Sequence, residues 1–230
     1  QLNDLLRMSP RAGDGFLTRV KLFDFGSDSD QERLVEDFIG ACDKSGVEIS
    51  GTQGYSANSH TYAVQCKDTN ELQSLSQVIG VRSISPMPLI RTIRPQMVSA
   101  KPLPRVPVSS EVTGSFPIVV VVDSGISDEL DSLESWVVGR QSDVAPEYRN
   151  TEHGTFVAGL ICWGRELNPT IDGLDASPCG VFDLQVIPNN DPAKGDTLPL
   201  FESEFLFSLE EALKQHANSY KVWNLSLGTD

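Results

Sequence analysis

Apolar and polar positions alternate along residues 16–23, Phe-Leu-Thr-Arg-Val-Lys-Leu-Phe, and predict a strand. The period then lengthens. Leu34, Val35, Phe38, Ile39 and Cys42 share one face at helical spacing, Ser29 with Glu32 predicts a capping box, and Gly46 predicts the stop. Residues 47–49 and 60–66 return to strand character, the latter with Tyr62, Val64 and Cys66 on one face. Asp68 with Glu71 opens a second predicted helix that carries Leu72, Leu75 and Ile79 and stops at Gly80. Residues 81–85 make the last strand before Pro86 and Pro88 weaken the ladder. The order β-α-β-β-α-β predicts a ferredoxin-like α+β domain, a four-stranded antiparallel sheet backed by two helices.

Beyond residue 90 the periodicity fades, and Pro95, Pro102, Pro104 and Pro107 predict an extended linker. From residue 116 the pattern changes to runs of β-branched residues separated by helices, the mark of an α/β domain with a parallel sheet. Residues 117–122 predict a strand buried on both faces, 153–164 a helix, 181–187 a strand, 205–217 a helix and 222–227 a strand. The last three predict a right-handed βαβ unit. The expected organisation is therefore a domain over 1–90 with its core in 16–90, a linker over 91–115, and an α/β domain over 116–230.

Charge sharpens this division. The net charge is −14, but residues 1–115 carry 12 basic and 13 acidic side chains against 6 and 19 in residues 116–230. So acidic a surface repels phosphate and argues against a nucleic-acid partner. The run 117–122 falls far short of the ~20 apolar residues a membrane span needs, so no membrane partner is expected. Cys42, Cys66, Cys162 and Cys179 have neither the density of a disulfide scaffold nor a CxxC spacing, and read as reduced, packed thiols. With three histidines in the chain, a metal cluster is not expected, and nothing calls for a cofactor. The chain starts at Gln1 without a basic, apolar leader, so a secretory signal is expected to be absent or already removed. The compartment stays open, with a lean to the cytoplasm.

Candidate chemistry collects in the acidic half. Asp123 closes the apolar run 117–122 and is followed by Ser124 and Gly125. In open α/β sheets reactive groups gather at the carboxyl ends of strands, although a lone Asp-Ser-Gly is also how a turn is capped. His153 precedes Gly154 and Thr155 at the start of a small-residue helix, whose positive end keeps an imidazole neutral and able to accept a proton. A single His-Gly pair equally suits a structural histidine. His60 and His216 have no comparable setting, and surface roles are expected for both. Asn224-Leu225-Ser226-Leu227-Gly228 ends a strand, and such an end can pair with an extended peptide or simply finish a buried strand.

Jointly and in this order, Asp123-Ser124-Gly125, the run from His153-Gly154-Thr155 through Val157, Ala158 and Gly159, and Asn224 to Gly228 strongly resemble the subtilisin-like serine proteases. Residues 16–90 resemble that family's propeptide by arrangement more than by motif. The resemblance implies a parallel-sheet catalytic domain, present as its N-terminal half, behind a propeptide-type domain that acts in cis. It further implies that Asp123 orients His153, that His153 is the general base and then the general acid, and that Ser226, Leu227 and Gly228 line a substrate strand for a peptide or protein. The family's nucleophile lies in a Gly-Thr-Ser motif that does not occur after His153 in these 230 residues, and its oxyanion asparagine lies further on and is not Asn224. Without a nucleophile or the C-terminal half, its implied partner, the chain alone is expected to be inactive. A noncatalytic peptide-binding or inhibitory module on the same fold is the alternative. The basic residues Arg82, Arg91, Arg94, Lys101 and Arg105 suggest that the stretch 82–105 docks electrostatically along 226–228.

Overall fold

The computed structural model describes residues 2–49, 55, 57–92, 106, 115–173 and 179–229. The chain divides into two compact units, one of residues 1–89 with 201–207 and one of 90–200 with 208–230. Both are mixed α/β.

The first unit contains α1 (Leu2–Met8), β1 (Arg11–Ala12), β2 (Gly15–Leu22), α2 (Asp28–Ser45), β3 (Glu48–Ile49), β4 (Thr61–Cys66), α3 (Thr69–Ser76) and β5 (Val81–Pro86). The main strands run in the order β3-β4-β2-β5 and every pairing is antiparallel, while β1 extends the β2 edge as a hairpin. Alternation along β2 explains its central place. Phe16, Val20 and Leu22 face a core built with Leu34, Phe38 and Cys42 of α2 and Leu72 and Leu75 of α3, whereas Leu17 packs with Ala63, Met87 and Phe201. Phe38, Leu72 and Leu75 are fully buried, each contributing about 2 kcal/mol of apolar burial.

Two expectations for this unit need correction. The Ser29–Glu32 capping box is not formed, because the helix already starts at Asp28 after Ser27, and Gln31 instead reaches back to accept the Phe25 amide at 3.1 Å. Asp28 and Asp30 in the first turn complement the helix dipole. Ile79 is not a core residue; α3 ends at Ser76 and Ile79 is 90% exposed. The helix α1, which buries Leu6, was not predicted. By contrast, Asp68 caps α3 by accepting the amides of Asn70 and Glu71 at 2.8 and 3.0 Å, and α2 stops at Gly46.

The second unit contains β6 (Ile90–Thr92), β7 (Ile118–Asp123), α4 (Asp131–Glu134), β8 (Val137–Ser142), α5 (Glu152–Leu167), β9 (Gly180–Gln185), α6 (Glu202–His216), β10 (Val222–Asn224) and β11 (Leu227–Thr229). The first residues of α6 group with the first unit. A four-stranded sheet runs β10-β7-β9-β8 with every pair parallel. Parallel strands are buried on both faces, which is why β7 reads as a near-continuous apolar run. Val120, Val121 and Val122 are fully buried, and Val121 packs with Trp136, Val157, Ala158, Cys162 and Trp163.

Here too the pattern needed correcting. The single strand expected over 222–227 is broken at Leu225 and Ser226 into β10 and β11, which belong to different sheets. β7 lies between β9 and β10, so the expected βαβ unit spans an intervening strand. β8 and α4 were not predicted; β8 is an edge strand whose Gly139, Arg140 and Gln141 dilute its apolar period. Of the expected linker 91–115, all but residues 91, 92, 106 and 115 lie outside the described residues. Among the described residues no helix is long and apolar enough to cross a membrane.

Candidate active site

Asp123 is the last residue of β7, opposite Gln185 in the β9 register. Its carbonyl accepts the amides of Val186 and Ile187 at 3.0 and 3.1 Å, which fixes the main chain where the strand ends. Gly125 then turns the chain with φ +95, in the region favoured by glycine. A Cβ there would also meet the Gln185 side chain at 2.6 Å. Gln185 uses that space to donate to the Ser124 carbonyl at 2.6 Å while accepting from Ser142 Oγ at 2.7 Å.

His153 sits in the first turn of α5, which approaches this turn closely. Gly154 donates to Ser124 Oγ at 3.1 Å, and the Ser127 amide donates to Thr155 Oγ1 at 2.8 Å. A Cβ on Gly154 would lie 2.3 Å from the Gly125 carbonyl oxygen, so only glycine permits the approach. The small residues after His153 thus have a backbone partner.

The two side chains meet as a result. His153 Nδ1 lies 2.8 Å from Asp123 Oδ1 and 2.9 Å from Oδ2. Asp123 is fully buried and the His153 side chain is 11% exposed. Oδ1 also accepts the Ser124 amide at 2.6 Å. An ionised carboxylate can only accept, so Nδ1 is the protonated nitrogen and Nε2 of the neutral ring carries the lone pair. The arrangement can take a proton at Nε2 and stabilise the resulting imidazolium through a buried negative charge.

The residues proposed to line a substrate strand are divided. Ser226 lies in the break between strands and its hydroxyl bonds Asn224 Oδ1 at 2.9 Å. Leu227 and Gly228 lie in β11 and pair antiparallel with Thr92 and Arg91 of β6. Where the basic stretch was expected to dock, residues 90–92 pair through the main chain with 227–229; Arg94, Lys101 and Arg105 lie outside the described residues.

Sequence reasoning missed Asp183. It stands in β9 opposite Val121, 4% exposed, and its Oδ2 accepts the Ile126 amide at 3.1 Å and Arg140 Nη1 at 2.7 Å. Burial pushes its carboxyl up to about 6, against the lowering effect of the Ile126 amide and Arg140, with Asp123 adding to the rise. An acidic residue inside Val-Phe-Asp-Leu-Gln-Val-Ile was the available signal, since lone charges in buried strands require partners.

The other histidines stay apart from this pair. His216 is not simply a surface residue: its ring packs at a tilt against Phe182, centroids 4.8 Å apart, and Nε2 bonds Gln141 Oε1 at 2.8 Å. His60 has φ +48 and offers its carbonyl to the Leu22 amide. Burial pushes the Cys42, Cys66 and Cys162 thiols up to about 12, 11 and 12, which makes them poor nucleophiles. Among the described residues no group of three or more His, Cys, Asp or Glu side chains is placed to hold a metal ion. No protein-family model matches the chain, and no curated protein matches it.

Proposed function

We propose that the chain is a proform segment of a subtilisin-like serine endopeptidase, with residues 1–90 as the propeptide-type domain and 116–230 as the N-terminal half of the catalytic domain. The observation that carries this reading is the buried Asp123 carboxylate on His153 Nδ1, at 2.8 and 2.9 Å, with the opposite ring nitrogen left as the base. In that role Nε2 takes the proton of a serine hydroxyl as the oxygen attacks a peptide carbonyl, Asp123 supports the imidazolium, and Nε2 returns the proton to the leaving amine. The serine must come from sequence beyond these 230 residues, so the segment by itself is inactive.

Leu227 and Gly228 take the part of the substrate strand, and their pairing with β6 supports it, because a strand that accepts one extended segment can accept another. The partners are a peptide or protein substrate, the chain's own first domain in cis, and the remaining half of the catalytic domain. Expressing the complete gene product tests the proposal. Its serine should be labelled by a fluorophosphonate, and Asp123→Asn should lower kcat/KM by roughly 10⁴. A complete product that lacks a Gly-Thr-Ser motif and is not labelled would overturn it. The same β6–β11 pairing favours a second reading, a noncatalytic peptide-binding or inhibitory module, which that result would leave standing.

A further inference from the structure

The turn that follows Asp123 is held by side chains of β8 and β9, strands that contribute nothing to the Asp-Ser-Gly and His-Gly-Thr motifs. Gln185 of β9 holds the Ser124 carbonyl. Two residues earlier on the same strand, a single ion pair holds both backbone polar groups of Ile126: Asp183 Oδ2 accepts its amide at 3.1 Å, and Arg140 Nη1 donates to its carbonyl at 2.6 Å while also bonding Asp183 at 2.7 Å. Arg140 is itself braced by Glu134 through Nη2. The Ile126 side chain is 2% exposed, so the clamped residue is also packed.

From this clamp to His153 there is no slack. Gly125 precedes Ile126 and its carbonyl oxygen is the atom on which Gly154 rests, while Ser127 follows it and bonds Thr155. Displacing Ile126 therefore moves two of the contacts that seat the start of α5, and with them the imidazole. A surface ion pair would contribute little, but Asp183 is buried and Oδ1 has no hydrogen-bond partner among the described residues. Such a group is retained at a cost that apolar packing would not incur. We infer that Asp183 and Arg140 are positioning residues for the Asp123–His153 pair, a role that rests on the protease reading above.

The test uses the 230-residue chain and proton NMR of the His153 Nδ1–H, with His60 and His216 as internal references. In the unmodified protein this proton should resonate far downfield and exchange slowly, and Asp123→Asn should abolish the signal. If the unmodified protein shows no such resonance, the Asp–His reading itself fails. Given the resonance, Asp183→Asn and Arg140→Gln should broaden it or speed its exchange with water on the order of tenfold, and Arg140→Lys should restore part of the protection. Val181→Ala, which removes buried bulk from β9 but none of the hydrogen bonds that hold the turn, is the control for lost packing alone. If Asp183→Asn does not fold, Arg140→Gln decides, because the Arg140 side chain is 33% exposed and its replacement opens no apolar cavity. An unchanged resonance in Arg140→Gln, or an equal change in Val181→Ala, would overturn the inference and leave the Asp–His reading in place.

Discussion

Replacing Gly154 by alanine adds one methyl group at the tightest backbone approach in the candidate site. The new Cβ would stand 2.3 Å from the Gly125 carbonyl oxygen and 2.9 Å from the Gly125 carbonyl carbon and amide nitrogen. A relaxed carbon-to-oxygen contact is about 3.3 to 3.6 Å, so α5 must retreat by about 1 Å. That retreat carries the Asp123–His153 contacts from 2.8 and 2.9 Å to beyond hydrogen-bonding range. Overpacking costs about 1–3 kcal/mol, and losing the Gly154–Ser124 bond about 1 more, against about 1 kcal/mol regained in helix propensity. The net loss is about 1–3 kcal/mol.

Gly159 in the same helix is the matched control. A Cβ there would meet only Trp163 ring atoms at 3.8 and 3.9 Å, which is ordinary contact. Gly159→Ala should therefore stabilise by about 1 kcal/mol, opposite in sign to Gly154→Ala. Trp136, Trp163 and Trp223 all lie in the second unit, so tryptophan fluorescence during urea unfolding reports the relevant unit. If Gly154→Ala is as stable as Gly159→Ala and keeps the downfield His153 proton, the close approach does not hold the pair together and the reasoning fails.

The pH dependence should carry a signature of Asp183. Its carboxyl is raised from 3.8 to about 6, chiefly by burial, so the folded state binds the proton more tightly than the unfolded chain. That contribution is fully present below about pH 4 and is lost as pH rises through about 6, roughly 3 kcal/mol in all. Subtracting the Asp183→Asn unfolding curve from that of the unmodified protein should reveal the slope; a flat difference between pH 4 and 7 refutes it. The β6–β11 pairing should resist salt, because main-chain hydrogen bonds are not screened as exposed charges are. Amide exchange at residues 227–229 should be unchanged between low salt and 1 M, whereas salt-dependent protection would restore an electrostatic hold. In the first unit, Leu75→Ala should cost about 2–5 kcal/mol and Ile79→Ala less than about 0.5, as read by thermal unfolding, although both carry the same apolar period. Comparable losses at the two positions would place Ile79 in the core after all.

What the chain declares on its own is what rests on neighbours in sequence. The 3.6-residue stripe of Leu34, Phe38 and Cys42, the cap at Asp68, and the β-branched run of β7 are local preferences, and each became the expected element. Asp123 and His153 were legible for a similar reason, since a strand end and a helix start are local features that small residues mark. Their distance was not. It depends on Gly154 resting on the Gly125 carbonyl and on Gln185, Arg140 and Asp183 reaching in from β8 and β9, contacts between residues far apart along the chain. The exposure of Ile79, the break of the 222–227 run and the pairing of β6 with β11 likewise follow from tertiary partners. Periodicity states which face of an element is apolar, but which element covers that face, and where a strand changes partners, is decided only when the whole chain packs.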